Sequence, residues 1–490
     1  MDLLTFYSGI LLPWVGGGLW LAYIESRLAR DTRPNRFRQA GYGFFLGHAV
    51  LFLVIVVMNF STGGVSWPWV MAFLLIFAGS GAIVCWNSGN NVHDVSPTSH
   101  PPYSTPVKIL IAVLLVWMTI HLVFVTVEVF SQPLYPWDAW TVWVYRAKAW
   151  FFAGGIVDFV NGADWATATS ANTYTISAWS YPLFPSVIPY WAALSLGRWS
   201  ETLVNVPVLL AGIGLGLALY GQCREQGFSI PVALACCYLL YSIPFFGTHI
   251  ALAGYADIWM AGFTGLGFIA LLRGAGARKS GYNSSHQLAL GLLMIALGVM
   301  VKNEGVVWLL VSLALLLVIT CRASVLILAM GALTILISLA FALGITQVNL
   351  PLAGPVGLVD GQLVMPIVGK FALEIHNIWP AYLENFFTMG NWNLLWVLVA
   401  VSMLPSLHSA RNSSGTSPGW GLRHSGRAFI GIFLATQFFI FGLTDKGLWA
   451  DAFTAINRLP LHFVPALLFA VFVIAFSYTH EHVARPHGRG

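Results

Sequence analysis

Charge is what this sequence has least of. Aspartate, glutamate, lysine and arginine make up 8% of its 490 residues, against about 25% in an ordinary soluble domain. With 58% hydrophobic residues and a mean hydropathy of +0.77, the chain carries more apolar surface than a soluble fold can hide, and that class is excluded. Cysteine is scarce too. Cys85, Cys223, Cys236, Cys237 and Cys321 form no Cys-x-x-Cys pair, so neither a disulfide framework nor a cysteine zinc site is indicated, and small apolar packing is their ordinary role. No P-loop, dinucleotide fingerprint or serine-hydrolase elbow occurs, and neither does a repeat of roughly 20 to 50 residues. No inverted pair of Gly/Pro-broken helices of the transporter kind is present. The opening Met1-Asp2-Leu3-Leu4 lacks a basic n-region, so the first apolar run is expected to stay as a span. The net charge of +5 comes from basic residues in short loops between apolar runs, which reads as a topology signal and implies no nucleic-acid partner.

What is there in quantity is apolar runs of about 20 residues, the length a bilayer crossing needs. Apolar windows place spans at about 4–26, 41–60, 67–86, 108–130, 202–221, 228–247, 256–273, 286–302, 305–321, 324–346, 391–407, 428–444 and 459–478. The expected fold is therefore all-α, a polytopic transmembrane helix bundle of about thirteen spans with juxtamembrane helices in a large outer loop. The expected organisation is a three-span extension over 1–107, a main transmembrane domain over 108–478 and a basic cytoplasmic tail over 479–490.

One short segment fixes the topology. Tyr181 to Leu196 is apolar but holds Pro182, Pro185 and Pro189, which break a helix start repeatedly. If it crossed, Arg224, Arg273, Arg278, Lys279, Arg322, Arg411, Arg423, Arg427, Arg485 and Arg489 would all lie outside, against the positive-inside rule. It is accordingly expected to lie along the outer interface, held by its aromatic residues. Arg27, Arg30, Arg33, Arg36 and Arg38 agree, as a dense basic loop after the first span. The cations left outside are Arg146, Lys148, Arg198, Lys302, Lys370, Lys446 and Arg458, and most acids map to the same side. Chemistry is expected there, around the long outer loops 131–200 and 346–390.

Four stretches carry the candidates. In Trp137-Asp138-Ala139-Trp140, a carboxylate between two indoles at the membrane surface is partly desolvated, which raises its basicity; the plainer alternative is a helix cap. Arg146 and Lys148 follow it and suit either a lipid phosphate or snorkelling to the headgroups. Asp257, in Gly254-Tyr255-Ala256-Asp257, stands at a membrane mouth, where a carboxylate is a functional candidate or again a cap. Lys302-Asn303-Glu304-Gly305 interrupts an apolar run as a tight turn, its two charges forming an ion pair or presenting Lys302 to a phosphate. In Asn457-Arg458-Leu459-Pro460-Leu461-His462, Arg458 suits bidentate phosphate binding and His462 ordinary core packing. Glu374, His376 and Glu384, with Asp360 and His249 behind them, match no ligand spacing, so no metal is assigned.

Together these motifs resemble the GT-C class of integral membrane glycosyltransferases, especially the bacterial branch with the RgtA/B/C/D-like and ArnT-like enzymes, which is related to protein mannosyltransferases. The resemblance runs from about Lys108 to Tyr478 and also uses Lys148 and Tyr181-Pro182-Leu183-Phe184-Pro185. It implies transfer of a sugar from a polyprenyl-phosphate donor to an extracytoplasmic glycan, lipid or protein, with no cofactor, in the inner (plasma) membrane. It further implies Asp138 as principal catalytic residue and Asp257 as second acid. Lys302, Arg458, Lys148 and Arg146 would bind the donor phosphate, and Trp137, Trp140, Tyr181, Glu304 and His462 the substrates. A transporter or flippase of a lipid-linked sugar or anion, and a noncatalytic envelope-assembly protein, are the alternatives the residues leave open.

Overall fold

A backbone surrounded by hydrocarbon must satisfy its own N–H and C=O groups, and helix is the local way to do it. The computed structural model describes residues 3–28, 35–89, 102–134, 136–252, 254–279, 285–351, 354–366, 368–404 and 418–476. Among them, eight helices are long and apolar enough to cross a bilayer, or ten if each of two helix pairs bent by 64° and 61° is one span. The chain is thus a polytopic helical membrane protein. The remaining three expected spans fall short. Residues 286–302 and 305–321 become helices of 13 and 17 residues, and 391–407 one of nine described residues, below the roughly 20 needed to cross unaided. The basic tail, together with Arg30, Arg33 and Arg411, lies outside the described residues.

The chain divides into two units, the first formed by Met1–Leu266 with Met300–Lys302. Helices α1 (Leu3–Leu28), α2 (Arg36–Thr62), α3 (Trp67–Gly89) and α4 (Thr105–Ser131) open it. The first three are built into the unit: α1 packs on α2 and α3, and α2 lies along α7 (Val206–Glu225), which follows α5 (Val144–Ala153) and α6 (Phe184–Leu196). Close approach of α1 and α2 depends on missing side chains. A Cβ on Gly47 would sit 1.8 Å from the Pro13 carbonyl oxygen, and one on Gly43 2.4 Å from the Gly18 Cα, so Gly43 and Gly47 act as the small-residue face that lets membrane helices touch.

Two opposite ends of these helices are specialised. At the end where α1 finishes and α2 begins, Arg38 is fully buried and donates to Glu25 and Glu225, each at 2.7 Å. The sequence counts Arg38 among solvated loop cations; instead it clamps α1, α2 and α7. At the other end, α6 sits against the starts of α1 and α3. Thr5 Oγ1 donates to the Ser195 carbonyl at 3.1 Å, Trp191 Nε1 to the Gly9 carbonyl at 2.9 Å, and Trp67 Nε1 to Ser195 Oγ at 3.3 Å. With 13 residues α6 is too short to cross, as expected, but Phe184, Tyr190 and Trp191 are buried in protein. Its aromatic rings are core rather than interfacial anchors, because helices enclose them. The unit continues through α8 (Ile230–Ser242) and α9 (Pro244–Ala251), bent at Pro244, where the ring removes a helical donor. Next comes α10 (Asp257–Ala277), which belongs to this unit as far as Leu266.

The second unit comprises Gly267–Val299 and Asn303–Gly490. Its helices include α11 (Ser285–Leu297), α12 (Glu304–Thr320) and α13 (Ala323–Ala342), the last with no buried residue. The loop after α13 then folds, unexpectedly, into an antiparallel meander of β1 (Gln347–Leu350), β2 (Gly354–Val359), β3 (Gln362–Met365) and β4 (Gly369–Ala372). Asp360 and Gly361, at φ 51° and 75°, make the two-residue turn between β2 and β3, the positive-φ pair that hairpins favour. Helices α14 (Leu395–Met403), α15 (Pro418–Gly442), α16 (Ala455–Leu461) and α17 (Val464–Phe476) complete the unit.

Candidate active site

The Asp138 segment starts at Pro136, whose carbonyl accepts from the amides of Ala139 at 2.9 Å and Trp140 at 3.3 Å. Ala139–Trp143 then forms one turn of π-helix before α5, a widened turn frequently found at functional sites. Asp138 is half-buried and helical in conformation, and its side chain makes no capping hydrogen bond. Capping therefore does not account for it. Trp137 is 76% exposed and Trp140 59%, while Trp140 Nε1 donates to the Leu134 carbonyl and fixes its ring. Trp143 is buried, edge-on to Tyr181 at 5.4 Å.

Gly254 brings this turn to the next motif. Its φ is +109°, and a Cβ there would lie 2.5 Å from the Ala139 Cβ and 3.3 Å from Val144 Cγ2. Only a residue without a side chain lets the two segments meet. Gly254→Ala is expected to lower stability by about 1–3 kcal/mol through strain and overpacking. A thermal unfolding curve in lipid that overlays the parent's contradicts this packing.

Three residues on, Asp257 opens α10, fully buried, and is the first helical residue rather than the cap. Its Oδ1 accepts from Lys302 Nζ at 3.2 Å, and His249 Nε2 stands 3.9 Å from Oδ2. The bend at Pro244 turns α9 so that His249 faces this carboxylate. His249 Nδ1 lies 2.9 Å from the Phe245 carbonyl, and the ring is packed between Phe245 and Tyr255 at centroid distances of 4.2 and 4.9 Å. In sequence His249 stands out only as a remote metal candidate, since nothing in the chain order announces its meeting with Asp257. The first unit thus gathers the Asp138 turn, the Gly254–Asp257 loop and Lys302.

The other cations divide. Lys148 pairs with Glu201 at 2.7 Å, and Lys148 lies 5.8 Å from the centre of the Trp199 ring. Arg146 is fully buried and donates to the carbonyls of Tyr181, Ala178 and Trp179 at 3.0 to 3.1 Å. Burial pulls this guanidinium down to about 10, still charged at neutral pH. Three hydrogen bonds from its terminal nitrogens hold the turn that leads into α6, so it positions Tyr181.

In the second unit, Glu304 is the first residue of α12 and Arg458, in α16, is half-buried. His462 is fully buried, its Nδ1 accepting from Trp308 Nε1 at 3.1 Å, the core packing that its residue type suggests. Asn457 accepts from Trp392 Nε1 at 3.1 Å and donates to Asn385, a buried amide network with no sequence signature. His376 pairs with Glu374 at 3.3 Å, Glu384 begins a π turn and Asp360 serves its hairpin. Among the described residues no group of three could hold a metal ion.

Compared with known proteins, the chain matches no family model, no curated protein and no solved structure.

Proposed function

We propose that the chain is a membrane glycosyltransferase that moves a sugar from a polyprenyl-phosphate donor to an acceptor hydroxyl outside the cytoplasm. The observation that carries this reading is the buried Asp257–Lys302 pair, set three residues from the Gly254 contact with the Asp138 turn. In the proposed step the acceptor oxygen attacks the anomeric carbon while its proton passes to the Asp138 carboxylate. The bond from that carbon to the phosphate oxygen breaks, and the polyprenyl phosphate leaves with the electron pair. Negative charge grows on the departing phosphate, where a preorganised cation contributes most. Asp257 holds the Lys302 ammonium in place for that purpose. Arg458 is a donor-phosphate candidate by the GT-C resemblance alone and takes no part in this step, whereas Arg146 is left to its carbonyls.

The test reconstitutes the protein in lipid with polyprenyl-phosphate sugars and follows release of polyprenyl phosphate. Asp257→Leu or Lys302→Met alone takes the oppositely charged partner from a buried ion pair and is expected to cost about 3–5 kcal/mol of stability. The Asp257→Leu/Lys302→Met double variant removes both charges, so it is expected to regain stability without regaining transfer. Turnover by a stable double variant at the parent rate sinks the assignment, and movement of the lipid carrier across the bilayer without sugar transfer favours a flippase.

A further inference from the structure

Beside the Asp138 turn, a pocket of about 480 Å³ is lined by Leu134, Trp140, Tyr145, Lys148, Trp199 and Glu201 among others, within the range of about 300–1,000 Å³ of small-molecule sites. Trp140 and Tyr145 are exposed, and Glu201 Oε1 accepts from both Lys148 Nζ at 2.7 Å and Trp199 Nε1 at 2.8 Å. The ion pair is itself exposed, 45% on Lys148 and 37% on Glu201, and a pair in such surroundings adds little to a fold. Stability does not explain why an indole N–H should hold the carboxylate at the pocket wall. Lys148 Nζ and Glu201 Oε2, half-exposed at the pocket wall, retain donor and acceptor capacity.

Ring faces beside a matched donor and acceptor suit a polyhydroxylated ring, whose C–H face packs on an indole and whose hydroxyls both give and receive hydrogen bonds. A bare phosphate is poorly served, because Glu201 neutralises the only cation lining the pocket. We propose that this pocket binds a neutral saccharide and is the acceptor subsite of the transferase. Its role as acceptor rests on the reading of the preceding subsection; the binding of sugar does not.

The experiment is saturation-transfer difference NMR on the full chain in lipid nanodiscs, with maltose, cellobiose and lactose as probes and inorganic phosphate as competitor. The ring protons of at least one disaccharide are expected to receive saturation, with binding about tenfold weaker in the Trp140→Ala/Trp199→Ala variant. Glu201→Gln is expected to weaken it as well. Saccharide binding with no transfer activity in any assay keeps the pocket and removes the transferase. Absence of saturation transfer to all three sugars, an equal signal in the double tryptophan variant, or displacement by phosphate overturns the proposal.

Discussion

Asp138→Asn is expected to slow glycosyl transfer by about 10²–10⁴-fold, the usual contribution of a positioned general base, with the unfolding temperature unchanged. Asparagine keeps an acceptor oxygen and almost the same shape at this half-buried position, but it cannot take the proton of the attacking hydroxyl. The carboxylate also makes no capping hydrogen bond whose loss might loosen the π turn. The comparison is made on purified parent and variant at matched reconstitution, scoring released polyprenyl phosphate per minute alongside unfolding. A variant within threefold of the parent removes Asp138 from the chemistry.

The second large effect concerns folding alone. Arg38→Met is expected to cost about 3–5 kcal/mol, since Glu25 and Glu225 then remain together with no cation between them. Three helices meet at this one guanidinium, so loss of the clamp frees the ends of α1, α2 and α7 together. A triple variant, Arg38→Met with Glu25→Gln and Glu225→Gln, is expected to recover much of the loss, because the stranded charges disappear with it. Denaturant titration of the reconstituted protein reads both; equal midpoints for parent and Arg38→Met contradict the clamp.

Arg38 also illustrates where sequence reading runs out. Its place among other arginines marks a topology signal, and that is all composition can express; the partners that bury it come 13 positions earlier and 187 later. Apolar length behaves similarly. It identifies helices well, because the signal is a sum over many residues, yet it cannot tell lipid from protein as the apolar surroundings. That is why the rings of α6 read as interfacial anchors, and why apolar windows count about thirteen spans where eight to ten helices among the described residues are long and apolar enough to cross. The meander is hidden for another reason: Asp360-Gly361 between short apolar runs is a strong hairpin signal, but a carboxylate in a long polar loop equally resembles a ligand, and the strands on either side are only four to six residues long. At the site, the aspartates and Lys302 were legible because charge is rare in this chain. Glu201 and His249 were not, since their roles come from pairing with residues 53 and eight positions away. Arg146 was legible as unusual, though its true employment, holding the approach to α6, depends on carbonyls that no side-chain pattern encodes.

Helix α13 has a different consequence. None of its 20 residues is buried against the described residues, so its whole apolar surface is free to face hydrocarbon, and its length of about 30 Å equals the core thickness of a typical membrane. It works as a ruler: in a thinner bilayer it must tilt or draw lipid around itself, at a cost that rises with each ångström of mismatch.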